Sequence, residues 1–339
     1  MGENGASAER ERERVVRELR EADKLVVVTH ENPDGDALGS LIAMQGLLSD
    51  LGKDCAMFIA QSEFPLPQEY DFLPLHGLLT APPLDLDERT IVFLDCGNLE
   101  RNPATAFQRP GAHILNLDHH HDNTRFGTVN LVVPEASCTA EIVWDLMHGL
   151  ELEPTRTIAE ALYVGLITDT GRFMYENTTA QAHRMAAELI EAGIDVHALY
   201  RHVYEGVPYG KLALLARGLA NVERYDGGRL TVTGLSAEDF EASGAQESYS
   251  EGVVDYLRAL QGTAVAALVR DRLSNVDGDG ERMRKVSLRS SDGRVDVSRI
   301  ARAQGGGGHR QAAGFTTAME WPDLVAFLRE AMVQQLSAV

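Results

Sequence analysis

Leu25-Val26-Val27-Val28-Thr29-His30-Glu31-Asn32-Pro33-Asp34-Gly35-Asp36-Ala37-Leu38-Gly39-Ser40 is the stretch whose reading decides the fold. Its opening run is apolar, β-branched and of strand length, while Leu38, Leu41, Ile42, Met44, Leu47 and Leu48 recur at helical spacing until Gly52. The order is strand, loop, helix. The loop carries an imidazole and two carboxylates, His30, Asp34 and Asp36. Packed between a buried strand and a helix, these side chains make a poor core and a good cradle for a divalent metal. A turn closed by its own Asx-type hydrogen bond is the competing reading.

Residues 8–22 precede this stretch as a charged helix with Val15, Val16 and Leu19 on one side. Residues 55–60 form a second strand, followed by a connection interrupted by Pro65, Pro67, Pro74, Pro82 and Pro83. Two further apolar runs, 91–94 and 113–117, end at Asp95 and at Asp118-His119-His120-His121-Asp122. Short continuous apolar strands predict a mostly parallel α/β sheet covered on both faces by helices, with ligand sites beyond the carboxyl ends of the strands. All three polar clusters occupy such positions. Helices are expected over 139–148 and 155–167, the second running into Thr168-Asp169-Thr170-Gly171 and supplying a fourth candidate ligand, Asp169. Read singly, Asp95 and Asp169 are helix caps or surface residues, and the three histidines are a solvated loop.

Helical patterning continues over 180–192 and 209–222, with breaks at Gly193 and Pro208, and the composition shifts near Tyr225. The expected organisation is a domain at 1–195, a helical linker at 196–225 and a second domain at 226–339. The second domain reads as strands over 229–235, 263–270 and 284–289 with a helix over 249–260. Asp277 and Asp279 fall in a Gly- and Asp-rich hairpin turn that lacks the terminal Glu of a calcium loop, so a solvated turn is expected. Near the end comes Gly305-Gly306-Gly307-Gly308-His309-Arg310-Gln311-Ala312-Ala313-Gly314-Phe315. This is either a flexible linker or an anion site at which the amides of Gly306, Gly307 and Gly308 and the side chains of His309 and Arg310 approach a phosphate.

Composition narrows the chemistry. The chain has 339 residues, 44% of them apolar, and 51 acidic against 31 basic side chains give a net charge of −20. Such a charge repels a nucleic-acid backbone globally, so a phosphate-bearing substrate needs locally placed cations or metal ions. Cys55, Cys96 and Cys138 form no CxxC pair, which argues against a zinc site or a disulfide framework and for a reducing, cytoplasmic setting. No apolar run reaches the ~20 residues of a membrane span. Four carboxylates and several imidazoles at strand-end turns make a hard, oxygen-rich donor set suited to manganese or magnesium over zinc or copper. The donors outnumber the needs of one ion, and a pair ~3.5–4 Å apart suits in-line attack on phosphorus.

On these residues the sequence resembles the DHH family of phosphoesterases, in the group that holds RecJ-like exonucleases, family II pyrophosphatases and NrnA-type phosphatases of short oligonucleotides and pAp. The motifs are His30-x-Asn32-Pro33-Asp34-x-Asp36-Ala37-x-Gly39-Ser40, the strand ending at Asp95, Asp118-His119-His120, and the turn with Asp169; residues 305–314 resemble the hallmark of the DHH-associated C-terminal domain. The resemblance implies an α/β protein, a parallel-sheet N-terminal domain plus a smaller mixed α/β C-terminal domain, with the active site in the interdomain cleft. It implies that His30, Asp34 and Asp95 hold one ion and that Asp36, Asp95, His119 and Asp169 hold the other. Manganese is the expected ion, with magnesium or cobalt as substitutes. His120 is expected near the scissile phosphate, with Asp118 orienting its neighbours, and His121 has no assigned role. Arg289, His309, Arg310 and Gly306 to Gly308 are expected to grip the far phosphate or nucleotide. Phe173 and Tyr175 are either base-stacking or core residues.

Within the family, the absence of further nucleic-acid-binding modules, transmembrane segments and sensor segments points to the compact type. The implied substrates are very short oligonucleotides (nanoRNA) and 3′-phosphoadenosine 5′-phosphate, with no stable duplex binding, no membrane association and a homodimer through the N-terminal domain. One alternative is a soluble phosphodiesterase acting on pApA or c-di-AMP. Another, from a different class, is a nucleotide-binding module without catalysis.

Overall fold

The valine run forms β1 (Lys24–Val28), which lies between β2 (Asp54–Phe58) and β3 (Thr90–Leu94) and pairs in parallel with both. A computed structural model describes residues 3–276, 282–308 and 310–337, and the chain divides into two units, Met1–Gly206 and Val207–Val339. Asp277, Asp279 and His309 lie outside the described residues.

In the first unit, β4 (Ile114–Asp118) and β5 (Val129–Val132) complete a five-stranded sheet of order β2-β1-β3-β4-β5, parallel throughout. The helices are α1 (Glu3–Glu21), α2 (Gly35–Asp50), α3 (Thr139–Gly149), α4 (Arg156–Asp169), α5 (Ala180–Glu191) and α6 (Val196–Tyr204). Strand order reverses between β1 and β3, so the loops leaving these strands diverge and open a crevice at the carboxyl edge. Strand alternation divides the core in two. Leu25, Val27, Val92, Leu94, Leu115 and Leu117 pack with residues of α1 to α5, while Val26, Val28, Ile91, Phe93 and Ile114 face the other way.

That second face corrects the expectation of helices on both sides. It is covered by loops and short 3₁₀ turns that contribute Leu86, Phe107 and Ala112, because prolines in the β2–β3 connection and Pro103 and Pro110 in the β3–β4 connection deny a helix its hydrogen bonds. Aromatic rings fill the space instead: Phe107 is fully buried, its ring 4.8 Å from Phe58 and 6.4 Å from Phe93, both edge-on. β5 was not expected at all. It has four residues, with polar Asn130 among them, too short for a periodic signal.

The second unit comprises α7 (Tyr209–Ala220), β6 (Glu223–Tyr225), β7 (Leu230–Leu235), α8 (Ala237–Ser243), α9 (Val253–Arg258), β8 (Val265–Val276), β9 (Arg282–Ser290), α10 (Val297–Arg302), β10 (Gly307–Gly308), β11 (Ala312–Thr317) and α11 (Trp321–Ser337). Its sheet has the order β10-β11-β9-β8-β7-β6 and is mixed, with β7 and β8 parallel and the other pairs antiparallel. Residues of α10 and α11 cover one face and residues of α7 to α9 the other. The glycine run is an edge strand, so the linker reading falls away. A Cβ on Gly306 would lie 2.2 Å from the Gly314 carbonyl oxygen, and one on Gly308, whose φ is +132°, 2.5 Å from Ala313 Cα. Close pairing with β11 is what excludes side chains there. No described helix of either unit is long and apolar enough to cross a membrane.

The aromatic face makes a testable demand. Phe107→Ala is expected to lower the unfolding free energy by about 3–5 kcal/mol in a urea titration. A loss below about 1 kcal/mol would mean that this face of the sheet is loosely covered.

Candidate metal centre

At the end of β1 the chain passes through buried His30 and left-handed Asn32 (φ +50°) to Asp34, the N-cap of α2. Asp34 Oδ1 accepts from the amides of Asp36 and Ala37, each at 3.1 Å, so the Asx-turn reading of this loop is correct as far as it goes. It does not exclude a ligand role, because Asp34 is exposed and its carboxylate faces His30 and Asp95. His30 donates Nδ1–H to the Glu31 carbonyl at 2.6 Å, and this aims Nε2 at Asp95 Oδ2, 3.4 Å away.

Asp36 is 1% exposed and points into the N-terminus of α3. Its Oδ2 accepts from Thr139 N at 2.7 Å, and its Oδ1 accepts from Ala140 N at 2.9 Å and from Ser40 Oγ at 3.3 Å. The helix terminus favours the negative charge. Burial and the charges of Asp95, Asp169 and Asp34 oppose it more strongly, and hold the Asp36 pKa well above the ordinary carboxylate range.

Asp95 occupies the turn that closes β3 with φ +58°, a left-handed conformation uncommon for any residue but glycine. It is 2% exposed and central: Thr139 Oγ1 donates to its Oδ1 at 3.0 Å, and nitrogens of His119 and His120 lie 3.6 and 3.5 Å from the same oxygen. Burial alone would raise its pKa, but the hydrogen bond and charge of His30, with the charges of His119 and His120, hold it below the ordinary range. Asp118 is fully buried and accepts from the backbone amides of His119 (2.8 Å) and His120 (3.2 Å), from His120 Nδ1 (2.7 Å) and from Asn123 Nδ2 (2.5 Å). Burial depresses the His120 pKa, yet the bond to Asp118 and the charge of Asp95 lift it to about 9, which makes it an imidazolium at neutral pH.

Asp169, the last residue of α4, places Oδ2 3.7 Å from His119 Nε2. Its pKa is pushed up to about 7 by burial, with Asp95 and Asp34 adding to the rise against the opposing charges of His119 and His120. Three overlapping donor sets result: His30 with Asp34 and Asp95, Asp36 with His119 and Asp169, and Asp95 with His119 and His120, each converging within 4.8 Å. Carboxylates crowded until two of them resist ionisation lack positive charge, and their oxygen and imidazole donors match hard divalent ions. The nearby thiol of Cys96 stays out of the donor set: it donates to the Asn98 carbonyl at 3.0 Å and burial pushes its pKa up to about 12.

All eight residues singled out in the first unit therefore meet at one crevice, while His121 is exposed. In the second unit Arg289 is half-buried, with Nε 3.3 Å from Asp255 Oδ1, and it lines a concavity with Arg270, Lys285 and Ser287. Arg310 donates Nη2–H to the Gly293 carbonyl at 2.5 Å, a bond that ties the turn before β11 to the loop after β9. Phe173 stacks on His183 at 4.9 Å and belongs to the core, whereas Tyr175 is 51% exposed. Sequence reading passed over Thr139, Asn123 and Asn177. Asn177 donates Nδ2–H to Asp169 Oδ2 at 3.1 Å and to the Ser137 carbonyl at 2.7 Å. The available signals were the polar Ser137-Cys138-Thr139 entry to α3 and an Asn following the histidine run.

These charges set an expectation for the metal-free protein. The folded-state pKa of Asp169 lies above its unfolded value, so the stability linked to this group is full at acid pH and is lost as pH rises through about 7. Asp169→Asn in the presence of chelator should raise the melting temperature at pH 8 by several degrees, less at pH 5, and do little near the unfolded pKa of 3.8. An unchanged melt at pH 8 would show that Asp169 carries no such strain.

The DHH family N-terminal domain matches residues 24–166, and the DHHA1 domain matches residues 231–337. The bifunctional oligoribonuclease and PAP phosphatase NrnA of Thermus thermophilus is 35% identical over 309 residues, spanning 90% of this chain and 88% of that protein. Among solved structures, an exopolyphosphatase-related protein from Bacteroides fragilis shares the fold with a TM-score of 0.84 at 24% identity, covering 96% of both chains. RecJ of Thermus thermophilus in complex with Mn2+ has a TM-score of 0.55 at 17% identity, covering 97% of this chain and 55% of that one. The chain belongs to the DHH family of phosphoesterases, its first unit carrying the DHH domain and its second the DHHA1 domain.

Proposed function

We propose that this chain hydrolyses very short oligonucleotides to mononucleotides and 3′-phosphoadenosine 5′-phosphate to AMP, with manganese as its working ion. The observation that carries the reading is Asp95 standing between two donor sets, with the Asp118–His120 pair beside it. The choice of substrate is supported by the relative named as an oligoribonuclease and PAP phosphatase, 35% identical over 90% of this chain. In this reading His30, Asp34 and Asp95 hold one ion, and Asp36, Asp95, His119 and Asp169 hold the other. Bound there, divalent ions would supply neutralising charge at phosphorus and a water acidified toward neutral pH.

The protein's own groups do the rest. Asp118, locked by four donors, fixes the ring of His120 and keeps it protonated. With Nδ1 bonded to Asp118, the ring presents Nε2 as the atom that would donate a proton to the oxygen leaving phosphorus. Thr139 donates its amide to Asp36 and its hydroxyl to Asp95, and with the Ala140 amide it fixes both carboxylates from the α3 N-terminus. In the second unit we assign Arg289, with the edge amides of Gly306 to Gly308, to the far end of a short substrate. Arg310, exposed and bonded to the Gly293 carbonyl through one Nη2–H, is assigned to the same end through its remaining donors. A net charge of −20 disfavours long polyanions and fits a preference for the shortest chains.

Purified protein supplied with Mn2+ should convert dinucleotides to mononucleotides and pAp to AMP, and lose both activities to chelator. His120→Ala should lower kcat by ~10²–10⁴ while leaving Mn2+ affinity nearly intact. Turnover that survives both chelation and Asp95→Ala would overturn the assignment.

A further inference from the structure

Arg101 closes a single 3₁₀ turn, Leu99–Arg101, six residues beyond Asp95. The turn is pinned from several sides. Asn98 Oδ1 accepts from Arg101 N at 3.0 Å, and the Arg101 carbonyl accepts from Glu31 N at 2.7 Å. Its neighbour Asn102, 2% exposed, donates Nδ2–H to the Thr29 carbonyl at 2.6 Å and accepts from Ala104 N at 3.0 Å. The loops leaving β1 and β3 are thereby stitched together at Arg101, directly beside His30. On the other side, the Gly97 carbonyl accepts from Thr124 N at 2.8 Å, which ties the same loop to the one bearing His119 and His120.

The backbone is thus fully committed, and the side chain is not. Arg101 is half-buried, yet its guanidinium makes no hydrogen bond or ion pair with any described residue. Its positive charge reaches both His30 and His120, disfavouring a further proton on each. Every other arginine held in the first unit's loops between β2 and β4 is spent on a partner: Arg89 on Asp54 and Asp85, Arg109 on Asp87 and the Leu86 carbonyl. An arginine withdrawn partly from water without an anion forfeits hydration for no return. A planar fork of donors held at the mouth of an acidic crevice matches the paired oxygens of a phosphate.

We propose that Arg101 is a substrate-binding residue whose guanidinium takes two non-bridging oxygens of the phosphate undergoing attack. This rests on the phosphoesterase reading above. As charge spreads over those oxygens in the transition state, a fixed cation there stabilises it more than the ground state. It also answers how so acidic a site admits an anion, since Arg101 offers positive charge that no carboxylate of the cluster has already claimed.

The test uses the full chain loaded with Mn2+ and compares wild type with Arg101→Ala and Arg101→Lys. Three quantities are read: Mn2+ affinity, kcat/KM on pAp, and inhibition by inorganic phosphate. Arg101→Ala should keep Mn2+ affinity within about twofold, lower kcat/KM by ~10² or more, and weaken phosphate inhibition about tenfold. Arg101→Lys, which restores charge without the fork, should fall between. Kinetics and phosphate inhibition within about twofold of wild type in Arg101→Ala would overturn the proposal. So would a loss of Mn2+ affinity that accounts for the whole loss of activity and is repaired at saturating Mn2+. If wild type itself hydrolyses no phosphate ester, the parent reading fails instead, and thermal stabilisation of the metal-loaded variants by inorganic phosphate still decides Arg101.

Discussion

Asp36 and Asp95 are buried almost completely, side by side, where the loops of β1 and β3 diverge. Removing one carboxylate from water is costly, and removing two within reach of a third at Asp169 is worse. The structure meets part of that cost locally. The α3 N-terminus receives Asp36, Thr139 and three imidazoles receive Asp95, and Asn177 receives Asp169. The remainder shows as carboxylates held far above their ordinary proton affinity, a state that divalent cations would relieve.

The fold serves this arrangement at each level. A parallel sheet of order β2-β1-β3-β4-β5 brings strand ends from distant parts of the chain to one edge. The left-handed turn at Asp95 aims its carboxylate back across that edge instead of into solvent. α2 and α4 then deliver Asp36 and Asp169 from the helical layer, so that four separate segments contribute. Local strain of this kind is kept where function needs it and is compensated by the surrounding core.

Much of this was legible in the sequence because the donors sit at the ends of strongly apolar runs, and strand ends are where parallel sheets expose side chains. His30, Asp34, Asp95, Asp118, His119 and His120 converge for that reason, and Asp36 and Asp169 join them from the helices α2 and α4. What escaped the reading depends on contacts that periodicity does not encode. Thr139 matters through a hydroxyl aimed at a residue 44 positions away, and Asn177 through amides and carbonyls that only tertiary folding brings near. The loop-covered face of the sheet has no helical period because prolines interrupt it, yet Phe107 makes it a core. Glycines 306 and 308 looked like freedom and are a packing requirement against β11. Asp34 was posed as cap or ligand, and its geometry provides for both, one oxygen on the helix amides and the carboxylate turned to His30 and Asp95.

The central claim is that Asp95 joins two distinct ion sites, one centred on Asp34 and the other on Asp36. Counting Mn2+ equivalents bound at equilibrium by wild type, Asp34→Ala and Asp36→Ala addresses it directly. The account expects two equivalents in wild type and one in each variant, with the retained ion bound at nearly its original affinity. A wild type that holds a single ion, or variants that each lose the same ion, would contradict it.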